Sequence, residues 1–149
     1  MSTILLVEDN EDDVFFMERA RTQAGIENPM AVARNGQEAL DYLQGAGKYT
    51  DRNQFPLPFL VLLDLKLPFV PGLQVLKWIR EQPEFQTMLV IILTASKEDR
   101  DIDSAYRLGA NSYLVKPPTP VMLTDIVKSL GDYWMLRNQP PVSVGKPPE

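Results

Sequence analysis

FLVLLD, residues 59–64, places an acidic residue directly after five consecutive apolar ones. Three other short apolar runs also end at polar residues: residues 4–7 at Glu8 and Asp9, residues 90–93 at Thr94, and residues 113–115 at Lys116. Continuous apolar runs of this length are typical of parallel strands that are buried on both faces of a sheet. Because the carboxyl ends of parallel strands lie at one edge of the sheet, the pattern predicts that these polar residues meet there.

The segments between the runs complete an alternating pattern of strands and helices. Strands are predicted at residues 4–7, 30–34, 59–63, 88–93 and 111–115, and helices at residues 10–24, 37–44, 73–82, 98–108 and 120–138. This alternation predicts an α/β fold, a doubly wound five-stranded parallel sheet of the flavodoxin-like type with helices on both faces. The preferred strand order, 2-1-3-4-5, places Glu8, Asp9 and Asp64 at the switch point of the sheet.

The composition limits the class of protein. The chain has 149 residues and a net charge of -5, which predicts one domain over residues 1–138, a Pro-rich flexible tail over residues 139–149, and no affinity for nucleic acid. The N-terminal apolar run is too short for a signal peptide or membrane anchor, so we expect a cytoplasmic protein without membrane attachment. The chain has no cysteine and no histidine. Any phosphoryl group carried here must therefore be taken by a carboxylate.

The predicted cluster of carboxylates requires a cation. Two carboxylates about 5 Å apart repel by roughly 3 kcal/mol at an effective dielectric constant near 20. Oxygen ligands without histidine or cysteine favour Mg²⁺, with Mn²⁺ or Ca²⁺ as possible substitutes. Lys116 would add a second positive charge. Each residue alone also has an ordinary explanation: Glu8 and Asp9 as the acidic start of a helix, Thr94 as a helix cap, and Lys116 as an exposed loop residue.

Four motifs together resemble the response-regulator receiver domains of two-component signalling, over about residues 3–136. They are VEDN at residues 7–10, LLDLKLP at residues 62–68 followed by Gly72, LTAS at residues 93–96, and GANSYLVKP at residues 109–117. The resemblance implies that Asp64 accepts a phosphoryl group from a phosphohistidine on a sensor histidine kinase. It also implies a Mg²⁺ site formed by Glu8, Asp9, Asp64 and the main-chain carbonyl of Lys66.

The resemblance further implies a switch. Lys116 would pair with Asp64 and then with the phosphoryl group, Thr94 would turn towards that group, and Tyr113 would turn inward. The surface of the fourth helix, fifth strand and fifth helix would change, and the Lys116–Pro117 peptide bond would be cis. Lys66 and Ser96 lie where the family tunes the lifetime of the phosphorylated state, although both could be ordinary exposed loop residues.

Partner surfaces are predicted on the first and last helices. Neighbouring helix residues point about 100° apart, so Phe15 and Phe16 cannot both face the core. We predict Phe16 as a contact of the kinase, with a peripheral core position as the alternative. Large apolar side chains at the end of the last helix predict a homodimer, unless the tail folds back over them: Tyr133, Trp134 and Leu136.

Three features resemble stand-alone regulators that work with cyanobacterial phytochrome kinases. They are the adjacent Tyr133 and Trp134, the long segment at residues 45–58 and the absence of an output domain. The downstream target is not identified by the sequence. Two alternatives stay open. A haloacid-dehalogenase-like phosphatase also uses an aspartate nucleophile with Mg²⁺, but it requires a second aspartate where this chain has Lys66. A degenerate receiver that only binds partners would lack phosphorylation residues that are all present here.

Overall fold

Five strands and five helices alternate along residues 2–133, the part of the chain that the computed structural model describes. The strands are β1 (Thr3–Val7), β2 (Met30–Ala33), β3 (Pro58–Leu63), β4 (Leu89–Thr94) and β5 (Ser112–Val115). The helices are α1 (Glu11–Gln23), α2 (Gly36–Gln44), α3 (Gly72–Glu81), α4 (Asp99–Arg107) and α5 (Pro120–Leu130). Every predicted element is present, and within residues 2–133 the bounds differ from prediction by only a few residues.

The strands form one parallel sheet in the order β2-β1-β3-β4-β5, which confirms the predicted topology. Val7 pairs with Leu63 across β1 and β3, so the residues that follow them lie side by side. The backbone N–H of Asp64 donates to the carbonyl of Val7 at 3.1 Å, and that of Lys116 donates to the carbonyl of Thr94 at 2.7 Å. The register therefore brings the ends of four apolar runs to one edge.

Helices cover both faces of the sheet, as predicted. Alternate residues of β1 enter different cores: Leu5 and Val7 pack with α2, α3 and α4, whereas Ile4 and Leu6 pack with α1 and α5. Burial on both sides explains why the strands are continuously apolar.

Side-chain caps fix the start of the helices that lead away from the site. The carboxamide oxygen of Asn10 accepts from the backbone N–H of Asp13, and that of Asn35 accepts from Glu38. Such caps satisfy backbone N–H groups that have no partner inside the helix. They explain why both helices begin where asparagine occurs in the sequence.

The long segment at residues 45–58 packs against α2. Its Tyr49 and Phe55 form an aromatic cluster with Tyr42, whose ring centroid lies 5.1 Å from that of Tyr49. The guanidinium of Arg52 donates to the carbonyls of Tyr42 at 2.7 Å and Leu43 at 2.8 Å, near the end of α2. These contacts give the segment a structural role.

The last α-helix, α5, ends at Leu130, and residues 131–133 form a wider π-type turn. The rest of the predicted helix, at residues 134–138, lies outside the described residues and stays a prediction. Trp134, Leu136 and the predicted tail at residues 139–149 lie outside the described residues. Within residues 2–133, none of the helices has the length and apolarity needed to cross a membrane.

Candidate functional site

Three carboxylates meet at the carboxyl edge of the sheet. Glu8 follows β1 and Asp64 follows β3, and both are buried, whereas Asp9 is exposed. Each of the three offers an oxygen within 4.8 Å of the others. The switch-point position predicted for these residues is therefore correct.

Lys116, after β5, brings one positive charge to this cluster. Its ammonium donates to Glu8 Oε1 at 2.5 Å, to Asp13 Oδ2 at 2.8 Å and to Asp64 Oδ2 at 2.9 Å. Burial alone would lower the pKa of Lys116, but these hydrogen bonds outweigh it and raise the pKa above its ordinary value. The lysine therefore stays protonated.

Both carboxylate oxygens of Asp64 accept hydrogen bonds. Oδ1 accepts from Thr94 Oγ1 at 2.7 Å and from the backbone N–H of Lys66 at 3.3 Å, while Oδ2 accepts from Lys116. Burial would raise the pKa of Asp64, but the bonds from Thr94 and Lys116 and the lysine charge hold it below its usual value. Asp64 is thus an ionised carboxylate held in a fixed orientation, which suits a nucleophile.

Glu8 has the opposite balance. Burial raises its pKa to about 7, the hydrogen bond from Lys116 opposes this rise, and the negative charge of Asp64 adds to it. The single ammonium therefore does not compensate the cluster fully. Oxygen donors with a surplus of negative charge fit a divalent metal ion. The predicted carbonyl ligand at Lys66 stays a prediction.

The residues predicted to switch or tune the site differ in burial. Ser96 is buried and donates its hydroxyl to Asp101 Oδ2 at 2.5 Å, so it is not an exposed loop residue. The hydroxyl of Tyr113 donates to the carbonyl of Ser96 at 2.8 Å. The side chain of Lys66 is exposed. Ser96 and Tyr113 therefore tie the loop after β4 to α4 and β5.

The prediction of a cis bond between Lys116 and Pro117 is wrong, because no peptide bond in residues 2–133 is cis. The trans form is intrinsically favoured before proline by about 0.5–1 kcal/mol. In this conformation the backbone of Lys116 stays paired with Thr94, and its long side chain still reaches the carboxylates.

The predicted partner residues differ in exposure. Phe15 is 60% exposed, whereas Phe16 is half-buried and lines a cavity of about 160 Å³ beside Lys116 and Pro117. One of the pair is exposed, as expected, but it is Phe15. The docking role of Phe16 stays a prediction. Tyr133 is 57% exposed at the end of the described chain, and the homodimer also stays a prediction.

Two features of the site were not predicted. The Thr94 hydroxyl is bonded directly to Asp64, whereas the resemblance implies a bond only to a phosphoryl group, and Asp13 contacts Lys116, which none of the sequence motifs indicates. The only sequence signal for Asp13 is its position one helical turn after Asp9, on the first turn of the helix that leaves the site.

Known proteins share both the sequence pattern and the fold. Residues 4–128 match the response regulator receiver domain. The chain is 38% identical over 141 residues to the probable methanogenesis regulatory protein FilR2 of Methanothrix harundinacea (strain 6Ac), covering 93% of this chain and 86% of that protein. It is 33% identical over 132 residues to response regulator Rcp1 of Synechocystis sp. (strain ATCC 27184 / PCC 6803 / Kazusa), covering 89% and 88%.

Solved structures agree with this assignment. The crystal structure of the Mn²⁺-bound form of Rcp1 is similar with a TM-score of 0.86 at 31% identity, covering 95% of this chain and all of that one. The phosphorylated cyanobacterial phytochrome response regulator RcpA is similar with a TM-score of 0.87 at 32% identity, covering 94% and 98%. With its strand order, acidic cluster and central lysine, the chain belongs to the response regulator receiver domain family.

Proposed function

We propose that this chain is a phosphoacceptor response regulator, which takes a phosphoryl group from a sensor histidine kinase onto Asp64. The observation that carries this proposal is the environment of Asp64: a buried, ionised carboxylate beside Lys116, Thr94 and two further acidic residues. This arrangement provides a nucleophile, a fixed positive charge and a cation site within a few ångströms.

In the transfer step, a carboxylate oxygen of Asp64 attacks the phosphorus of the kinase phosphohistidine. A new O–P bond forms as the P–N bond breaks, and the imidazole nitrogen keeps the electron pair. Glu8, Asp9, Asp64 and the main-chain carbonyl of Lys66 would hold Mg²⁺, for which Mn²⁺ or Ca²⁺ could substitute. When bound, the metal neutralises charge on the transferring phosphoryl oxygens. The ammonium of Lys116 supports the same charge from the other side.

The phosphorylated state is read out through Thr94 and Tyr113. The Thr94 hydroxyl, which donates to Asp64 here, would then donate to a phosphoryl oxygen. Because Tyr113 is bonded to the carbonyl of Ser96, movement of the loop after β4 would carry Tyr113 with it and change the α4–β5–α5 surface. One dianionic group thereby biases a two-state switch.

The protein also catalyses its own phosphorylation from small donors and its own dephosphorylation. Lys66 and Ser96 would set the lifetime of the phosphorylated state. Lys66 is exposed beside Asp64, whereas the hydroxyl of Ser96 is held by Asp101. The similarity to RcpA, a cyanobacterial phytochrome response regulator, supports a kinase of the phytochrome class and a role in light signalling. The downstream partner would recognise the switched surface, and Tyr133, Trp134 and Leu136 would contribute to a homodimer.

Intact-mass analysis with a small phosphodonor tests the proposed function. After incubation with Mg²⁺ and acetyl phosphate, we expect the protein to gain one phosphoryl group that hydroxylamine removes, and to gain none when EDTA is present. Release of free phosphate from varied phosphomonoesters, without a protein adduct, would instead favour the phosphatase alternative.

Phe15 gives a separate test of kinase docking. Its side chain is largely exposed, whereas Phe16 lies beside Lys116 and its replacement would also disturb the site. We expect Phe15→Asp to slow phosphotransfer from the cognate kinase about tenfold, because a charge replaces an apolar contact. Reaction with acetyl phosphate should be unchanged. Equal slowing with both donors would contradict a docking role.

A further inference from the structure

Asp13 on α1 contacts the lysine of the site, although it lies outside the acidic group that could hold a metal. An ammonium has three N–H donors, and in Lys116 they are directed to three carboxylates: Glu8, Asp13 and Asp64. Within the described residues, no buried side-chain donor or acceptor lacks a partner. The lysine is thus saturated by three acids, of which Glu8 and Asp64 also belong to the proposed metal site.

A bound cation would compete with Lys116 for these two acids. If Glu8 turned an oxygen to the metal, the ammonium would lose its shortest contact and face an added positive charge at close range. Asp13 is the partner that can stay with the lysine in that state, because its carboxylate does not belong to the acidic group of Glu8, Asp9 and Asp64.

The fold holds Asp13 in position for this role. The residue lies in the first turn of α1, where its backbone N–H donates to Asn10 Oδ1 at 3.1 Å. Its side chain is 41% exposed, and its carboxylate lies 2.8 Å from the ammonium of Lys116, whose side chain is only 18% exposed. The first turn of α1 therefore directs the negative charge of Asp13 at the ammonium of Lys116.

We propose that Asp13 is a positioning residue that retains Lys116 beside Asp64 when Glu8 binds the metal. The inference rests on the proposed function, since it assumes that the acidic cluster holds a divalent cation. Without Asp13, the ammonium has only Glu8 and Asp64 as partners, so it competes more strongly with the cation for them. Asp13 is thereby expected to raise metal affinity without being a metal ligand.

Mn²⁺ titrations followed by electron paramagnetic resonance test this role, because free Mn²⁺ gives a sharp signal that binding removes. We expect Asp13→Asn to weaken Mn²⁺ binding about tenfold, as loss of a residue that orients a metal site does. Asp12→Asn is the matched control: it removes the same charge from the same turn of α1, at an exposed residue. We expect its affinity to stay within about twofold of wild type, because solvent and salt screen exposed charges. Asp13→Glu, which keeps the charge, should recover most of the affinity.

The outcomes separate this inference from the proposed function. Equal affinities for the Asp12 and Asp13 variants, or no recovery with Asp13→Glu, would overturn the role of Asp13 while wild-type phosphorylation still supports the proposed function. A wild type that neither binds Mn²⁺ nor accepts a phosphoryl group would overturn both. Circular dichroism checks that each variant is folded, and Asp13→Ser provides a second neutral replacement.

Discussion

Asp64→Asn is expected to accept no labile phosphoryl group from acetyl phosphate, even at saturating Mg²⁺. An amide cannot form the acyl phosphate that a carboxylate forms, so the loss should be complete in intact-mass analysis. The variant should still fold, because the amide oxygen can accept from Thr94 and because Lys116 keeps Glu8 and Asp13 as partners.

Asp9→Asn is the appropriate comparison for this variant. Asp9 is exposed and belongs to the acidic cluster. Within residues 2–133, however, Lys116 donates to Glu8, Asp13 and Asp64 and not to Asp9. We expect this variant to need more metal and then to accept one phosphoryl group, since Asp64 is intact. A phosphoryl adduct on Asp64→Asn would identify a different acceptor and contradict the proposed function.

The fold followed from the sequence because its signals are local. Each apolar run is a strand, and Asn10 and Asn35 stand directly before helices that they cap. The end of α5 was less predictable, because apolar residues continue past Gly131 and the periodic pattern gives no sign of the wider turn.

The site was predictable where it depends on the sheet and less so where it depends on side-chain directions. Glu8, Asp64, Thr94 and Lys116 follow strands, so the strand order alone brings them together. The contact between Asp13 and Lys116 joins residues 103 positions apart, and it depends on how α1 is rotated about its axis. The hydrogen bond from Ser96 to Asp101 depends in the same way on how α4 is rotated about its axis. Neither rotation can be derived from the spacing of apolar residues.

Gly72→Ala is expected to have the largest effect on stability of the changes considered. Gly72 begins α3, and a Cβ at this position would lie 2.1 Å from the carbonyl oxygen of Asp64 and 2.7 Å from Cα of Leu65. Both atoms belong to the backbone, so either α3 or the segment after β3 must move. We expect the free energy of unfolding, measured with urea, to fall by about 3 kcal/mol, as overpacking in a buried region does.

The same displacement should reach the phosphoacceptor, because the clash involves the backbone of Asp64 itself. A shift of about 1 Å at a reacting group can cost about 100-fold in rate, so phosphorylation by acetyl phosphate should slow markedly in protein that is still folded.

Gly131→Ala is the matched control. Gly131 has helical backbone angles, φ -60° and ψ -47°, and a Cβ added there would meet only the side chain of Ile26. We expect that variant to change stability by less than about 1 kcal/mol and to be phosphorylated normally, because a flexible side chain can move aside. Equal stability and equal reactivity of the Gly72 and Gly131 variants would contradict this prediction. They would show that close packing of α3 against the backbone of Asp64 and Leu65 does not position the phosphoacceptor.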